Sequence, residues 1–322
     1  MWLFLCNGFL NDATTSSHSK TNRMKIDFKL IAIAILLVAA GCKDRPKNEL
    51  VKEDTKVVAT YPISEKWIAN RVEKAKTRLN ASEAGKVIWN AMEAQGGLAT
   101  WYANGYLTFR FDYQPEDGST RRNSYQTIDT WSNKARHTSF EDSTAIFGWD
   151  GKEAWVKAKD TTAFEYDTRF WALTPLYLAG HPFVLDGEGV NLELLDQKEY
   201  KGNLQDVVKV TFGANVGDAP EDYYVLYFDT NTHIISAVRY IVSYPEYFPN
   251  GGHSPEKIME IIGQKSTKGI LLPTGLKTYW LDEHEEMGAY ITKIDISDVD
   301  FIPQVPEGYF SKPEGAKLVP SK

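Results

Sequence analysis

The densest run of groups able to do chemistry is Asp282-Glu283-His284-Glu285-Glu286, where carboxylates and an imidazole could offer oxygen and nitrogen ligands to a metal. His284-Glu285 begins like the helical H-E-x-x-H zinc motif, but Gly288 stands where the second histidine is required. Consecutive residues on a hairpin point to alternate faces and cannot converge on one ion, so the run reads as a solvated turn. Asn250-Gly251-Gly252-His253-Ser254 sets a histidine beside a serine. Loop neighbours rarely make a nucleophile and its base, and no G-x-S-x-G elbow occurs in the chain. His137, His181 and His233 stand alone in sequence. There is no phosphate-binding loop, dinucleotide fingerprint, Cys-x-x-Cys or EF-hand loop. The expectation is a non-catalytic protein with no cofactor and no metal, a glycan or lipid hydrolase being the enzymatic alternative.

One thiol remains to be explained. Among 322 residues there are two cysteines, Cys6 and Cys42. Cys42 follows the apolar run Leu30 to Ala40, which is shorter than the roughly 18 residues of a spanning helix and within the roughly 7–15 of a secretory core. Ahead of it, Met24-Lys25-Ile26-Asp27-Phe28-Lys29 reads as a start methionine with a basic flank, so Met24 is the expected start and 1–23 upstream sequence. Ala39-Ala40-Gly41-Cys42 resembles the bacterial lipobox, with Ala39 where leucine is most usual. The resemblance implies cleavage before Cys42 and lipidation of its thiol, stable attachment needing more than one acyl chain. Lys43 in place of aspartate implies the outer membrane, at its periplasmic face, and Lys43-Asp44 leaves surface exposure open. The organisation expected is 1–41 removed, 42–61 a lipidated tether and 62–322 a single domain with no disulfide.

Charge narrows the partners. The net charge of −7 becomes about −9 once Lys20, Arg23, Lys25 and Lys29 leave with Asp12 and Asp27. Such a surface repels phosphate, and there is no basic patch, so no nucleic-acid partner is expected. Membrane contact is expected through the anchor alone, with a protein partner unspecified.

The elements that must position any site begin at Ser64, an N-cap for a helix carrying Ile68, Val72, Ala75 and Leu79 along one stripe. Ser82 caps a second helix with Val87, Ile88, Ala91 and Met92 on one side, stopped by Gly96-Gly97. A short helical turn, 98–103, brings in Trp101. The texture then changes to strands. In 106–113, Leu107, Phe109, Phe111 and Tyr113 alternate with polar residues. Further strands are predicted at 121–131, 134–140, 144–149, 153–158, 190–199, 206–213, 222–229, 233–243, 258–266, 271–282 and 288–299. Asp150-Gly151 predicts a two-residue hairpin. The strands 222–229 and 233–243 are apolar on both faces and need cover on both. Between 163 and 185 the pattern breaks into an aromatic, proline-interrupted segment, read as a short helix or two around 168–179 and as buried.

This order of elements resembles the LolA-like and LppX-like lipoprotein-carrier superfamily. The matching residues are Trp149-Asp150-Gly151-Lys152-Glu153-Ala154-Trp155, similar to its DGK-x-x-W hairpin, and Tyr227-Phe228-Asp229-Thr230-Asn231-Thr232, similar to its D-x-x-T hairpin. Ala94-Gln95-Gly96-Gly97-Leu98-Ala99-Thr100-Trp101 with His181-Pro182-Phe183 resembles, more closely, a family of Bacteroidota outer-membrane lipoproteins of this fold. Soluble carriers of this kind lack an anchor of their own, a departure here. The resemblance implies an α+β, mostly β fold, a strongly curved antiparallel half-barrel sheet packed on N-terminal helices, and a concave surface that holds acyl chains. Phe109, Phe111, Phe170, Trp171, Tyr177, Tyr224, Leu226 and Trp280 are the expected lining, though for any single one of them plain core is the safer reading. Segment 163–185 is the expected lid. A scaffold recruiting partners through loops 245–256 and 282–288 is the alternative.

Overall fold

A computed structural model describes residues 63–320 apart from 161–162, 214–217 and 220; Cys42, the apolar run before it and the tether lie outside the described residues. Ser64 accepts a hydrogen bond from the Trp67 amide at 3.2 Å and opens α1 (Glu65–Leu79); Ser82 does the same for Gly85 and opens α2 (Glu83–Ala94). Both hydroxyls satisfy an otherwise unpaired first-turn donor. The chain turns so tightly between the two helices that a Cβ on Gly85 would lie 1.9 Å from the Leu79 carbonyl oxygen. After α2, Gly97 at φ +84° starts α3 (Leu98–Ala103).

Thirteen strands follow, in one open antiparallel sheet. They are β1 (Tyr106–Pro115), β2 (Arg122–Ile128), β3 (Ala135–Ser139), β4 (Ile146–Trp149), β5 (Ala154–Lys157), β6 (Val190–Tyr200) and β7 (Asn203–Phe212). After these come β8 (Tyr223–Asp229), β9 (Ile235–Tyr240), β10 (Lys257–Thr267), β11 (Ile270–Leu281), β12 (Met287–Ile302) and β13 (Lys317–Val319). Their spatial order is β13-β5-β4-β3-β2-β1-β12-β11-β10-β9-β8-β7-β6, with β1 beside β12 at the centre. Between β5 and β6 the aromatic segment forms α4 (Phe170–Gly180) and a 3₁₀ turn at Phe183–Leu185. The fold is α+β and mostly β, with the sheet left open.

One hydrophobic cluster runs from the helices to the inner face of nearly every long strand, joining Leu79, Ile88, Trp101, Phe111, Leu226 and Phe301 among others. A sheet whose inner residues meet the same helices from both ends must wrap them. The residues that carried the resemblance are where it closes. Gln95 donates to the His181 carbonyl at 3.2 Å and accepts from the Ile235 amide at 3.1 Å, while Trp101 stacks on Phe183 with centroids 4.9 Å apart. A Cβ on Gly96 would lie 2.1 Å from the Gly269 carbonyl oxygen, so glycine is required there.

Two expectations are corrected. The β4–β5 hairpin is a four-residue connection, Trp149 pairing with Ala154, because Asp150 Oδ1 accepts from the Lys152 and Glu153 amides, each at 2.8 Å, and builds its own turn. The three-residue β13 on the β5 edge was not anticipated, being too short to show a period.

The double-sided strands find different cover on each face. Leu226, Phe228 and Val238 join the main core, whereas Val225, Tyr227 and Ala237 form a second cluster with Val207, Ile258 and Leu281 on the outside. That outer cluster is topped by Arg239, which binds Glu256 through two nitrogens at 3.2 and 2.6 Å and Glu285 at 2.9 Å. The acidic 282–286 run is indeed a turn, built on Asp282 Oδ1 accepting from the His284 and Glu286 amides. Yet it is more than a solvated one, since Glu285 also bridges Arg239 to Lys198.

Candidate functional site

The inner face is solid beneath α1–α3 and hollow beneath α4. There a cavity of about 460 Å³ lies between the helix and the sheet, within the size range of small-molecule sites. One wall is α4, whose residues are apolar nearly all round, so Trp171 and Leu176 can bury towards the core while Phe170, Leu173, Tyr177 and Leu178 line the space. The floor is the sheet: Tyr113, Tyr224, Tyr240 and Lys257. The rim is the chain after β9, where Tyr244 and Tyr247 pack on Phe170 with centroids 5.0 and 5.2 Å away.

Two buried histidines flank α4. His137 on β3 lies 2.8 Å from the Ala172 carbonyl oxygen, which requires its Nε2 to carry the proton. His181 caps the other end of the helix, edge-on to Tyr224 with centroids 5.4 Å apart. Burial disfavours charge on either ring and pulls both down to about 4.

The cavity's charged groups are unevenly matched. Arg169 is held by Asp218 through two bonds of 2.7 and 2.8 Å. Asp222 accepts from the Ser243 amide and hydroxyl, and burial raises its carboxyl above the usual range. Arg122 makes no ion pair among the described residues; its guanidinium lies 4.9 Å from the ring centroids of both Tyr113 and Trp171, with Nε buried and unbonded. The Lys257 ammonium lies 5.4 Å from the Tyr240 ring and 5.2 Å from that of Trp280, and burial lowers it to about 8 against the distant pull of Asp222.

Of the eight expected lining residues, Phe170, Trp171, Tyr177 and Tyr224 border the cavity. Phe109, Phe111 and Leu226 are packed in the core, and Trp280 lies beside the cavity under Lys257. Arg122 and Lys257 were not foreseen. A signal existed: Lys257 is in phase with Met259 and Ile261, a cation where a strand's apolar face is due.

The serine and histidine adjacent in sequence at 253–254 are each engaged with backbone. Ser254 Oγ donates to the Pro255 carbonyl at 3.0 Å and accepts from the Val242 amide, while the His253 ring sits 2.7 Å from the Ser254 carbonyl oxygen. Among the described residues no three histidines, cysteines or carboxylates cluster as metal ligands.

The architecture is similar to that of a LolA superfamily protein from Nitrosomonas europaea, with TM-score 0.46 and 10% identity over 71% of this chain and 97% of that one. It is similar also to a domain designated an outer-membrane lipoprotein-sorting protein from Vibrio parahaemolyticus, with TM-score 0.45 and 10% identity over 76% and 97%. A DUF1329 family protein from Desulfovibrio piger gives TM-score 0.45 and 11% identity over 76% and 97%. No family model and no curated protein matches the sequence.

Proposed function

We propose that this chain is a lipid-anchored envelope protein, acylated at Cys42, that holds an apolar ligand in the cavity between α4 and the sheet. The ligand is a lipid or the acyl part of another lipoprotein. The observation that carries this reading is the cavity itself: a preformed, aromatic-walled space of about 460 Å³ beside an otherwise closely packed core. No covalent chemistry is involved. Residues 1–41 are removed, 42–61 tether, and 62–322 form the binding domain at the periplasmic face of the outer membrane. Segment 163–185 is the lid, because α4 is the wall with the fewest backbone ties to the sheet.

Two observations weigh against a scaffold acting through its loops. Tyr247 and Phe248 of the 245–256 region face the cavity, and the 282–286 turn is engaged on the outer face by Arg239 and Lys198.

Native mass spectrometry of the protein extracted from membranes tests the binding reading, a co-purifying lipid in stoichiometric amount being the expected result. A ligand-free protein that also ignores added lipids rejects it. Radiolabelled palmitate should enter the wild type and not Cys42→Ser. In hydrogen exchange, 170–180 should exchange faster than β1 and β12; equal protection removes the lid.

A further inference from the structure

An empty cavity of this composition carries a charge asymmetry that a neutral ligand would leave uncorrected. Three cationic side chains line it, Arg122, Arg169 and Lys257, against two acidic ones, Asp218 and Asp222, in a chain whose net charge is −7. Arg169 and Asp218 neutralise each other in a two-bond pair, and Asp222, bonded by Ser243, pulls on Lys257 only from a distance. The lining therefore keeps an excess of one positive charge. A half-buried ammonium with no carboxylate in direct contact is costly, and the rings of Tyr240 and Trp280 stabilise it only in part.

We propose that the cavity takes a single-chain fatty-acid anion, its carboxylate at Lys257 and its tail along the aromatic wall of α4. This rests on the apolar-ligand reading above and names the ligand's head group and chain number. At about 460 Å³ the cavity is in the range of sites that take one small apolar ligand, and a single acyl chain is such a ligand. The ammonium lies over the floor, 5.4 Å from the Tyr240 ring, where a carboxylate entering the cavity can meet it. Lys257 acts here as a specificity-determining residue, not as a nucleophile.

The test uses the full chain with Cys42→Ser, so that no attached acyl group competes, and follows tryptophan fluorescence as palmitate or methyl palmitate is added. Palmitate should bind at least tenfold more tightly than its uncharged ester. Lys257→Met, which keeps an unbranched apolar stem, should weaken palmitate about tenfold and leave the ester within twofold; Lys257→Arg should retain palmitate. Equal affinities for acid and ester with a silent Lys257→Met overturn the proposal while the apolar pocket stands. Equal losses for both ligands in Lys257→Met also overturn it, making the lysine a packing element. Lysophosphatidate binding more tightly than palmitate replaces the carboxylate with a phosphate and overturns the fatty-acid assignment. Binding of none of these by the wild type rejects the apolar-ligand reading itself.

Discussion

Beneath α2 and α3 the inner face presents Phe109, Phe228 and Phe301, all nearly free of solvent; beneath α4 it presents Tyr113, Tyr224, Tyr240 and Lys257 around open space. Both regions belong to one sheet and are equally rich in rings. They differ in how near a helix backbone can come and in what the facing side chains carry at their tips. Gly96 lets the end of α2 touch the β10–β11 turn, and Trp101 fills the gap by stacking on Phe183. Facing α4 are phenols and two cations, whose tips need partners and cannot simply be buried. Polar tips hold the wall off the floor, and the hollow follows from that.

The sharpest way to break this contrast is truncation on each side. Phe228→Ala, in the solid half, should cost about 3–5 kcal/mol, the range for a large aromatic in a core that cannot collapse. Leu178→Ala, on the cavity wall, should cost under about 1 kcal/mol because it enlarges a space already present. Urea midpoints of both variants give the comparison; similar losses would mean the α4 side is as closely packed as the other.

Acid should act on the hollow half next. His137, which bonds the α4 backbone, and His181 at the helix end are neutral when folded, with pKa values near 4 against about 6.5 when unfolded. Between those values the unfolded chain binds more protons, so stability is present above about 6.5, falls as pH falls, and levels off below about 4. From pH 7 to pH 5 the loss should be about 2 kcal/mol per histidine. Urea midpoints at both pH values measure it, and His137→Gln should remove part of the slope. A wild type equally stable at both would show that neither ring is buried as described.

In the solid half the corresponding polar device is Asp186, which accepts two bonds from Arg71, at 2.6 and 2.9 Å, and one from the Tyr102 hydroxyl at 2.5 Å. Asp186→Asn keeps the shape and removes the charge. A loss of about 2 kcal/mol is expected, below the full value for a buried pair because the Arg71 side chain is 35% exposed. Ligand affinity should not change; if it falls, the two halves are coupled through the 3₁₀ turn.

Much of the architecture could be read from the sequence because its causes are local. Ser64 and Ser82 cap the helices expected of them, and the alternation of Leu107, Phe109, Phe111 and Tyr113 is the inner face of β1. Strand ends moved by a few residues: 233–243 shortened to Ile235–Tyr240, and 206–213 began earlier at Asn203. The site was half legible. Period two places Phe109, Leu226 and Tyr224 on the inner side alike, and nothing in the spacing says which of them meets a helix and which a void. That is decided by α4, hundreds of ångströms of contour away for some strands only in the unfolded chain and adjacent in the folded one. The better clue was chemical: Lys257 falls on the apolar face of Met259 and Ile261, where a cation needs a reason.

The smallest effect belongs to the outer face behind the hollow. Glu285, 46% exposed, joins Arg239 and Lys198, and its loss leaves Arg239 still bound to Glu256 at two points. Exposed pairs of this kind contribute about 0–1 kcal/mol, so Glu285→Gln should shift the urea midpoint little and leave ligand affinity unchanged. The reason is geometric: Arg239 and its partners lie on the opposite face of β9 from Tyr240, and a side chain lost outside leaves the inner floor untouched. A drop of more than about 2 kcal/mol, or weaker palmitate binding, would mean that the turn braces β8–β10 and that the hollow depends on the outer cluster as well as on the polar tips inside it.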